Sequence, residues 1–188
     1  MMKHKGTVRI ETSRLILRQF TMSDAEAAFR NWESDDKVTE FLRWTTMHSI
    51  SETEEVMKQW VENYADHSFY QWAIVPKDLN EPIGTISVVD MDEKTNKVHI
   101  GYCIGSKWWR QGYTSEAFLG IIPFFFDKVK VQRIEAQHDP DNRNSGKVMQ
   151  KCGLIYEGTL RKADWNNKGI VDACMYGLLD TDYYNINR

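Results

Sequence analysis

The residues around Gly112 have the types and spacing to hold an anion. From Lys97 to Leu119 the chain reads KVHIGYCIGSKWWRQGYTSEAFL. Its first part sets Val98, Ile100, Tyr102 and Ile104 against His99, Gly101 and Cys103, a period of two that predicts a buried strand. From Thr114 onward helix formers take over, with Ala117, Phe118, Ile121 and Ile122 at helical spacing. A strand, a tight turn and a helix leave main-chain N–H groups unpaired at the helix start. An anion, above all a pyrophosphate, suits those donors and the positive end of the helix dipole. Gly112 removes a side chain where a ligand must approach the backbone, and Arg110 adds a permanently charged planar fork beside it. On the same strand, His99 is a residue type whose ordinary titration range suits base work near neutrality. Cys103, inside the strand, reads as a small core residue rather than a nucleophile.

Other elements must position that turn. Residues 13–20 predict a first strand, 24–32 a helix capped by Thr21 or Ser23, and 35–42 a short helical piece. Ser51 with Glu54 resembles a capping box opening a helix to about Ala65, along which Val56, Trp60 and Tyr64 recur. Strands over 70–75, 82–89 and 98–104 are separated by short turns, which implies an antiparallel meander. The helix after Gly112 is expected to reach about Lys128, with Pro123 kinking or shortening it. A strand over 133–137 carries Glu135, a carboxylate weighed as a base beside the more ordinary role of a paired surface charge. A helix over 144–151 ends at Gly153, and 155–160 with 172–179 form a closing hairpin around the turn 166–169. The order β, α, α, three β, α, β, α, β, β describes a mixed α/β (α+β) chain without linker or repeat, so residues 1–188 are expected to form one domain.

Composition narrows the function classes. Hydrophobic residues make up 41% and charged residues 27%, as in ordinary globular proteins. Seven tryptophans, eight tyrosines and eight phenylalanines point to a large core or an aromatic-lined cleft. A net charge of −3 argues against general nucleic-acid binding. The longest apolar run, 117–126, is interrupted by Gly120 and Pro123 and is too short to span a membrane. The opening MMKHKGTVRIETSR lacks the apolar stretch of a secretory signal. Cys103, Cys152 and Cys174 make neither a disulfide framework nor a metal motif, so a reduced, cytoplasmic setting and no metal are expected.

Four segments, in order, resemble the GNAT superfamily of N-acetyltransferases, and within it the branch of ribosomal-protein alanine and serine N-acetyltransferases. They are ETSRLILR (11–18), IGYCIG…WWRQGYTSEA, DPDNRNSGKVMQKCGL (139–154) and EGTLRKADWNNKGIVDACMYGLL (157–179). The resemblance implies a strongly twisted, mostly antiparallel mixed sheet of about seven strands, splayed between the fourth and fifth, with helices on both faces. It implies acetyl-CoA as donor, its pantetheine arm lying along Tyr102, Cys103 and Ile104 like an added strand. The pyrophosphate would rest on Trp109, Arg110, Gln111, Gly112, Tyr113, Thr114 and Ser115. Asn142 and Ser145 match the N-x-x-S that meets the pantetheine near the thioester, and Lys147 and Lys151 would lie near the phosphates. Aligned on Gly112, the usual loop Gln/Arg-x-x-Gly-x-Gly/Ala is altered to Trp109 in its first slot and Thr114 in its last. Met149 occupies the slot of the family's tyrosine acid, whereas Ser145 matches the serine acid of the ribosomal-protein branch. Asp164 matches by position a glutamate base of that branch, and His99 lies where relatives often carry a glutamate.

The resemblance thus implies acetyl transfer by direct attack of a primary amine in a ternary complex, with Ser145 as acid and Asp164 or His99 as base. The acceptor is a protein N-terminus or a small amine, and the chain a monomer or homodimer. Two rivals remain open: a silent acyl-CoA-binding sensor with the same fold, and an unrelated α/β binding protein with an accidental phosphate-like turn.

Overall fold

Short strands β1 (Ile10–Glu11) and β2 (Leu15–Arg18) lead into helices α1 (Ala25–Ala28), α2 (Asp36–Thr39) and α3 (Ile50–Asn63). The meander β3 (Gln71–Pro76), β4 (Gly84–Asp92) and β5 (Lys97–Ile104) follows. Then come α4 (Tyr113–Pro123), β6 (Arg133–His138), α5 (Arg143–Lys151), the hairpin β7 (Ile155–Asn166) and β8 (Gly169–Leu179), and α6 (Asp180–Ile186). This is a computed structural model, and it describes residues 1–186. The strands form one sheet in the order β1-β2-β3-β4-β5-β6-β8-β7.

All neighbours in that sheet are antiparallel except β5 and β6. Those two pair in parallel over only Lys97↔Arg133, Val98↔Ile134 and His99↔Glu135. Beyond them β5 stays with β4 as far as Ile104, and β6 stays with β8 as far as His138. The two strands therefore part after His99, and the sheet opens into a wedge. The splay falls where it was expected; the added strand is β1, two residues that carry no readable alternation.

Each face of the sheet buries its own core. On one, Ala117, Phe118, Ile121 and Ile122 of α4 pack with Leu17, Trp72, Val98 and Ile100, and Met149 of α5 joins them. On the other, Ala28, Trp32 and Met57 cover Phe20, Ala73 and Val75. Period-two alternation splits β5 between them, with Tyr102 and Ile104 on the first side and Cys103 on the second.

Local chemistry shifts several boundaries. Ser49, not Ser51, caps α3, because Glu52 accepts the His48 N–H at 2.9 Å and draws the helix start upstream. Pro123 does not stop its helix; the chain runs on as a wider π turn over Phe124–Val129, which absorbs the missing donor. A second π turn, Phe29–Glu33, follows α1. Register shifts between Tyr156 and Gly158 and between Leu160 and Asp164 break the alternation of β7, so the hairpin strands run longer than their pattern suggests. The closing helix α6 was not expected; Tyr183 holds it by stacking on Phe126 at 5.0 Å and donating to Asp127 at 3.0 Å.

Candidate active site

The turn before α4 is built to present main-chain donors. Arg110 and Gly112 both adopt left-handed backbone, at φ 63° and 82°. Gly112 is the N-cap and supplies no side-chain cap. The first helical bond runs from the Glu116 N–H to the Gly112 carbonyl, so the N–H groups of Tyr113, Thr114 and Ser115 precede the ladder. Two cations flank the turn: a Cβ built on Gly112 would lie 3.5 Å from Arg14 Nη2 and 3.7 Å from Lys151 Nζ. Arg14 is fixed there by three contacts. It donates through Nε to Glu116 at 2.7 Å and through Nη1 to the Gln111 carbonyl at 3.2 Å, and its guanidinium covers the Tyr113 ring at 4.5 Å. A left-handed turn, helix-start N–H groups and two cations fit the diphosphate of a coenzyme. Trp109 uses its indole N–H to bond the Ile104 carbonyl at 2.9 Å, whereas Arg110 and Gln111 are exposed. Lys147, one turn before Lys151, is exposed and lies outside the cavities on either side of this helix.

The open edge of β5 fits an extended arm. Gly105 donates to Ile83 on the β4 side, and the Ile104 carbonyl points the other way, to Trp109. By alternation the N–H and carbonyl of Tyr102 also face the gap, while the main chain of Cys103 faces β4. Cys103 reaches the cleft by its side chain instead, and burial pushes its thiol up to about 12, which keeps it protonated.

A cavity of 460 Å³ lies where β5 and β6 part, and Ser145, Asp164 and His99 all line it. Asn142 caps α5 by accepting the Ser145 N–H at 3.3 Å, which fixes the Ser145 side chain at the cavity wall. The Ser145 hydroxyl lies 2.9 Å from that of Tyr102, and Tyr102 also donates to the Ser145 carbonyl at 2.9 Å. Burial pushes the Tyr102 hydroxyl far above the ordinary phenol range, so it stays a neutral donor. Met149 is 1% exposed and belongs to the core, so its slot offers no proton.

Asp164 is a bound carboxylate. Burial pushes its carboxyl up, but Arg43, the Trp165 N–H and Gln137 together hold it below the usual range. Arg43 Nη2 sits 2.5 Å from one oxygen and Gln137 Nε2 2.5 Å from the other. His99 places Nδ1 3.4 Å from Glu135 Oε1. That contact with His99, helped by Lys97 at 2.8 Å and Arg133 at 2.9 Å, outweighs burial and holds the Glu135 carboxyl far below its ordinary value. Glu135 is thus a fixed anion behind His99.

Several residues of this site carry no sequence signal. Arg14 meets its partner Glu116 across 102 positions. Tyr102 shows a core-facing strand residue, not a hydroxyl partner for Ser145. Trp32, Glu33, His138 and Asp139 line the cavity because a π turn and the end of β6 bring them there.

A sheet parted in this way, with a helix N-terminus following the parted strand in the chain and titratable side chains lining the cavity, fits the class of acyl-coenzyme A-dependent transferases. Residues 14–155 match the family described as the acetyltransferase (GNAT) domain. The uncharacterized N-acetyltransferase YoaA of Bacillus subtilis is 33% identical over 170 residues, 90% of this chain and 96% of its own. Among solved structures, the ribosomal-protein-S5-alanine acetyltransferase of Vibrio fischeri superimposes with a TM-score of 0.80 at 22% identity, over 94% of this chain and 98% of that one. MccE, the microcin C7 self-immunity acetyltransferase solved with acetyl-CoA and AMP, gives 0.81 at 20% identity, over 89% and 93%. The chain belongs to the GNAT acetyltransferase family and is an acetyl-CoA-dependent acyltransferase. Among the described residues no helix is long and apolar enough to cross a membrane.

Proposed function

We propose that residues 1–188 form one acetyltransferase domain that moves the acetyl group of acetyl-CoA to a primary amine by direct attack, both substrates being held at once. One observation carries this: the three-residue pairing of β5 with β6 leaves the two strands parted at the cavity that holds Ser145, His99 and Asp164, and the turn with the α4 donors follows β5 in the chain. The bound coenzyme supplies an activated acetyl thioester. The chain's own groups do the rest. The Tyr113–Ser115 N–H groups, Arg14 and Lys151 hold the phosphates. The Tyr102 main chain aligns the arm, and Asn142 with Ser145 closes the cavity wall. Orientation of two reactants in one cleft supplies much of the acceleration.

Ser145 donates the proton that the departing sulfur needs, and the neutral Tyr102 hydroxyl, which donates to the Ser145 carbonyl and lies 2.9 Å from its hydroxyl, holds it in place. His99, braced by Glu135, accepts the proton lost by the amine. The engaged oxygens of Asp164 suit it to positioning through Arg43 and Gln137 rather than to proton transfer. Cys103, Cys152 and Cys174 are free thiols, which supports a reducing, cytoplasmic setting. Release of free thiol is the assay: a panel of primary amines should contain an acceptor, and His99→Gln should lower its kcat/KM more than Asp164→Asn does. Coenzyme binding with no transfer to any amine would favour the silent sensor. Full turnover in the His99→Gln, Asp164→Asn double variant would remove both as bases.

A further inference from the structure

Glu33 is an anomaly in the wall of the same cavity. It closes the Phe29–Glu33 π turn, is 2% exposed, and takes part in no salt bridge among the described residues. Its Oε2 has no hydrogen-bond partner, and neither has the buried indole N–H of Trp32 beside it in the chain. Burial pushes the carboxyl up, against a smaller opposing pull from the hydroxyl of Thr53, which is itself buried without a hydrogen-bond partner of ordinary geometry. An orphaned carboxylate oxygen inside a protein is costly unless a ligand completes it. Glu33 and Cys103 of β5 line the same cavity.

The rest of the cavity defines what would complete it. Trp32, Trp44, Trp60 and Trp165 are among its lining residues. Its acidic groups are Glu33, Asp139 and Asp164; its one Lys or Arg among the described residues is Arg43, already spent on Asp164, and its two histidines are His99, with Nδ1 toward Glu135, and His138, with Nδ1 on the Asp139 carbonyl. Asp139 is occupied by Asn166 Nδ2 at 2.9 Å and by the Asp141 N–H at 2.9 Å. A cation is therefore welcome at Glu33, aromatic residues suit an apolar body next to it, and an added carboxylate would meet three acidic groups and no unpaired Lys or Arg among the described residues.

We propose that Glu33 seats the ammonium of the acceptor, and that the acceptor is a small apolar primary amine with no carboxylate beside the nitrogen. This rests on the acetyl-transfer reading for its use, but not for its test. The ammonium pairs with the Glu33 carboxyl at the cavity wall and no bond is made or broken there, so Glu33 is a binding and specificity residue.

The probes are 2-phenylethylamine and phenylalanine, which share a skeleton and differ by the carboxylate. Binding is read by tryptophan fluorescence with coenzyme A present, and turnover by thiol release with acetyl-CoA. The expected result is that 2-phenylethylamine binds and phenylalanine does so at least about tenfold more weakly. Glu33→Gln, which keeps shape and removes charge, should weaken 2-phenylethylamine by about ten- to a hundredfold and narrow the gap between the two probes. Equal binding of both probes by the wild-type chain, or Glu33→Gln binding 2-phenylethylamine within twofold of wild type, overturns the proposal. The wild-type comparison decides even if the variant does not fold. Selective, Glu33-dependent binding without thiol release would uphold the seat while refuting acetyl transfer.

Discussion

Ser145→Ala separates chemistry from folding and from coenzyme binding. The substitution removes one hydroxyl that lies 2.9 Å from the Tyr102 hydroxyl. Tyr102 keeps its second partner, the Ser145 carbonyl at 2.9 Å, so its buried O–H is still satisfied. The cap on α5 also survives, because Asn142 accepts from the Ser145 main chain. Loss of one hydrogen bond costs about 1 kcal/mol, and the better helix propensity of alanine returns roughly half of that. Stability should therefore change by less than about 1 kcal/mol. The chemical step has more to lose. A positioned general acid contributes about 10²–10⁴-fold, and a thiolate, being a modest leaving group, places this case near the lower end. A hundredfold fall in kcat corresponds to about 2.7 kcal/mol of barrier. Thiol-release kinetics with a saturating acceptor would read kcat, calorimetry the affinity for coenzyme A, and urea titration the stability. Affinity should stay within about threefold, because Tyr102 meets the arm through its main chain. An unchanged kcat with a tenfold weaker coenzyme would show that Ser145 only binds, and the acid role would be refuted.

Gly112→Val should cost about 1–2 kcal/mol of stability, since φ is +82° there, and should weaken coenzyme A in calorimetry by crowding the space beside Arg14 and Lys151; unchanged affinity would place the diphosphate elsewhere. Glu135→Ala should lower the unfolding free energy by about 3 kcal/mol in urea at neutral pH, as it strips Lys97 of its partner and Arg133 of one of two; a loss below about 1 kcal/mol would contradict the buried network. Burial pushes the Asp24 carboxyl up, but Arg18 at 2.8 Å and Thr21 outweigh it and hold the folded value below the unfolded one of about 3.9. Its contribution is then complete above that value and lost as pH falls through the lower folded value, so the stability gap between wild type and Asp24→Asn should be full at neutral pH and shrink below about pH 4. A gap independent of pH would show that the pair stabilises only by packing.

The elements that position the site were legible because their signals are local. Alternation through Val98–Ile104 and the glycine before α4 each declare themselves within a few residues, and they set the strand and the turn; Asn142 entered only by resemblance, and its role as the cap of α5 emerges in the fold. The splay was legible only by resemblance, since nothing in β5 or β6 alone shows that their pairing stops after His99 and Glu135. What was hidden depends on distant partners or on irregular backbone. Arg14 comes to lie beside the Gly112 turn only when Glu116 of α4 clamps it. Glu33 falls between two expected helical pieces, at 24–32 and 35–42, and becomes a cavity residue only because the π turn buries it. Asp164 looks like a free carboxylate before a turn, and Arg43, 121 positions away, decides that it is not. The long hairpin was masked by its own irregularities, which break the alternation that marks a strand.

The most direct test is a crystal structure of the chain with acetyl-CoA. The diphosphate should lie on the N–H groups of Tyr113, Thr114 and Ser115 between Arg14 and Lys151, and the thioester arm should follow Tyr102 into the opening between β5 and β6. Coenzyme bound away from the α4 turn, or an arm that avoids the parted strands, would contradict the assignment of every residue placed around that opening.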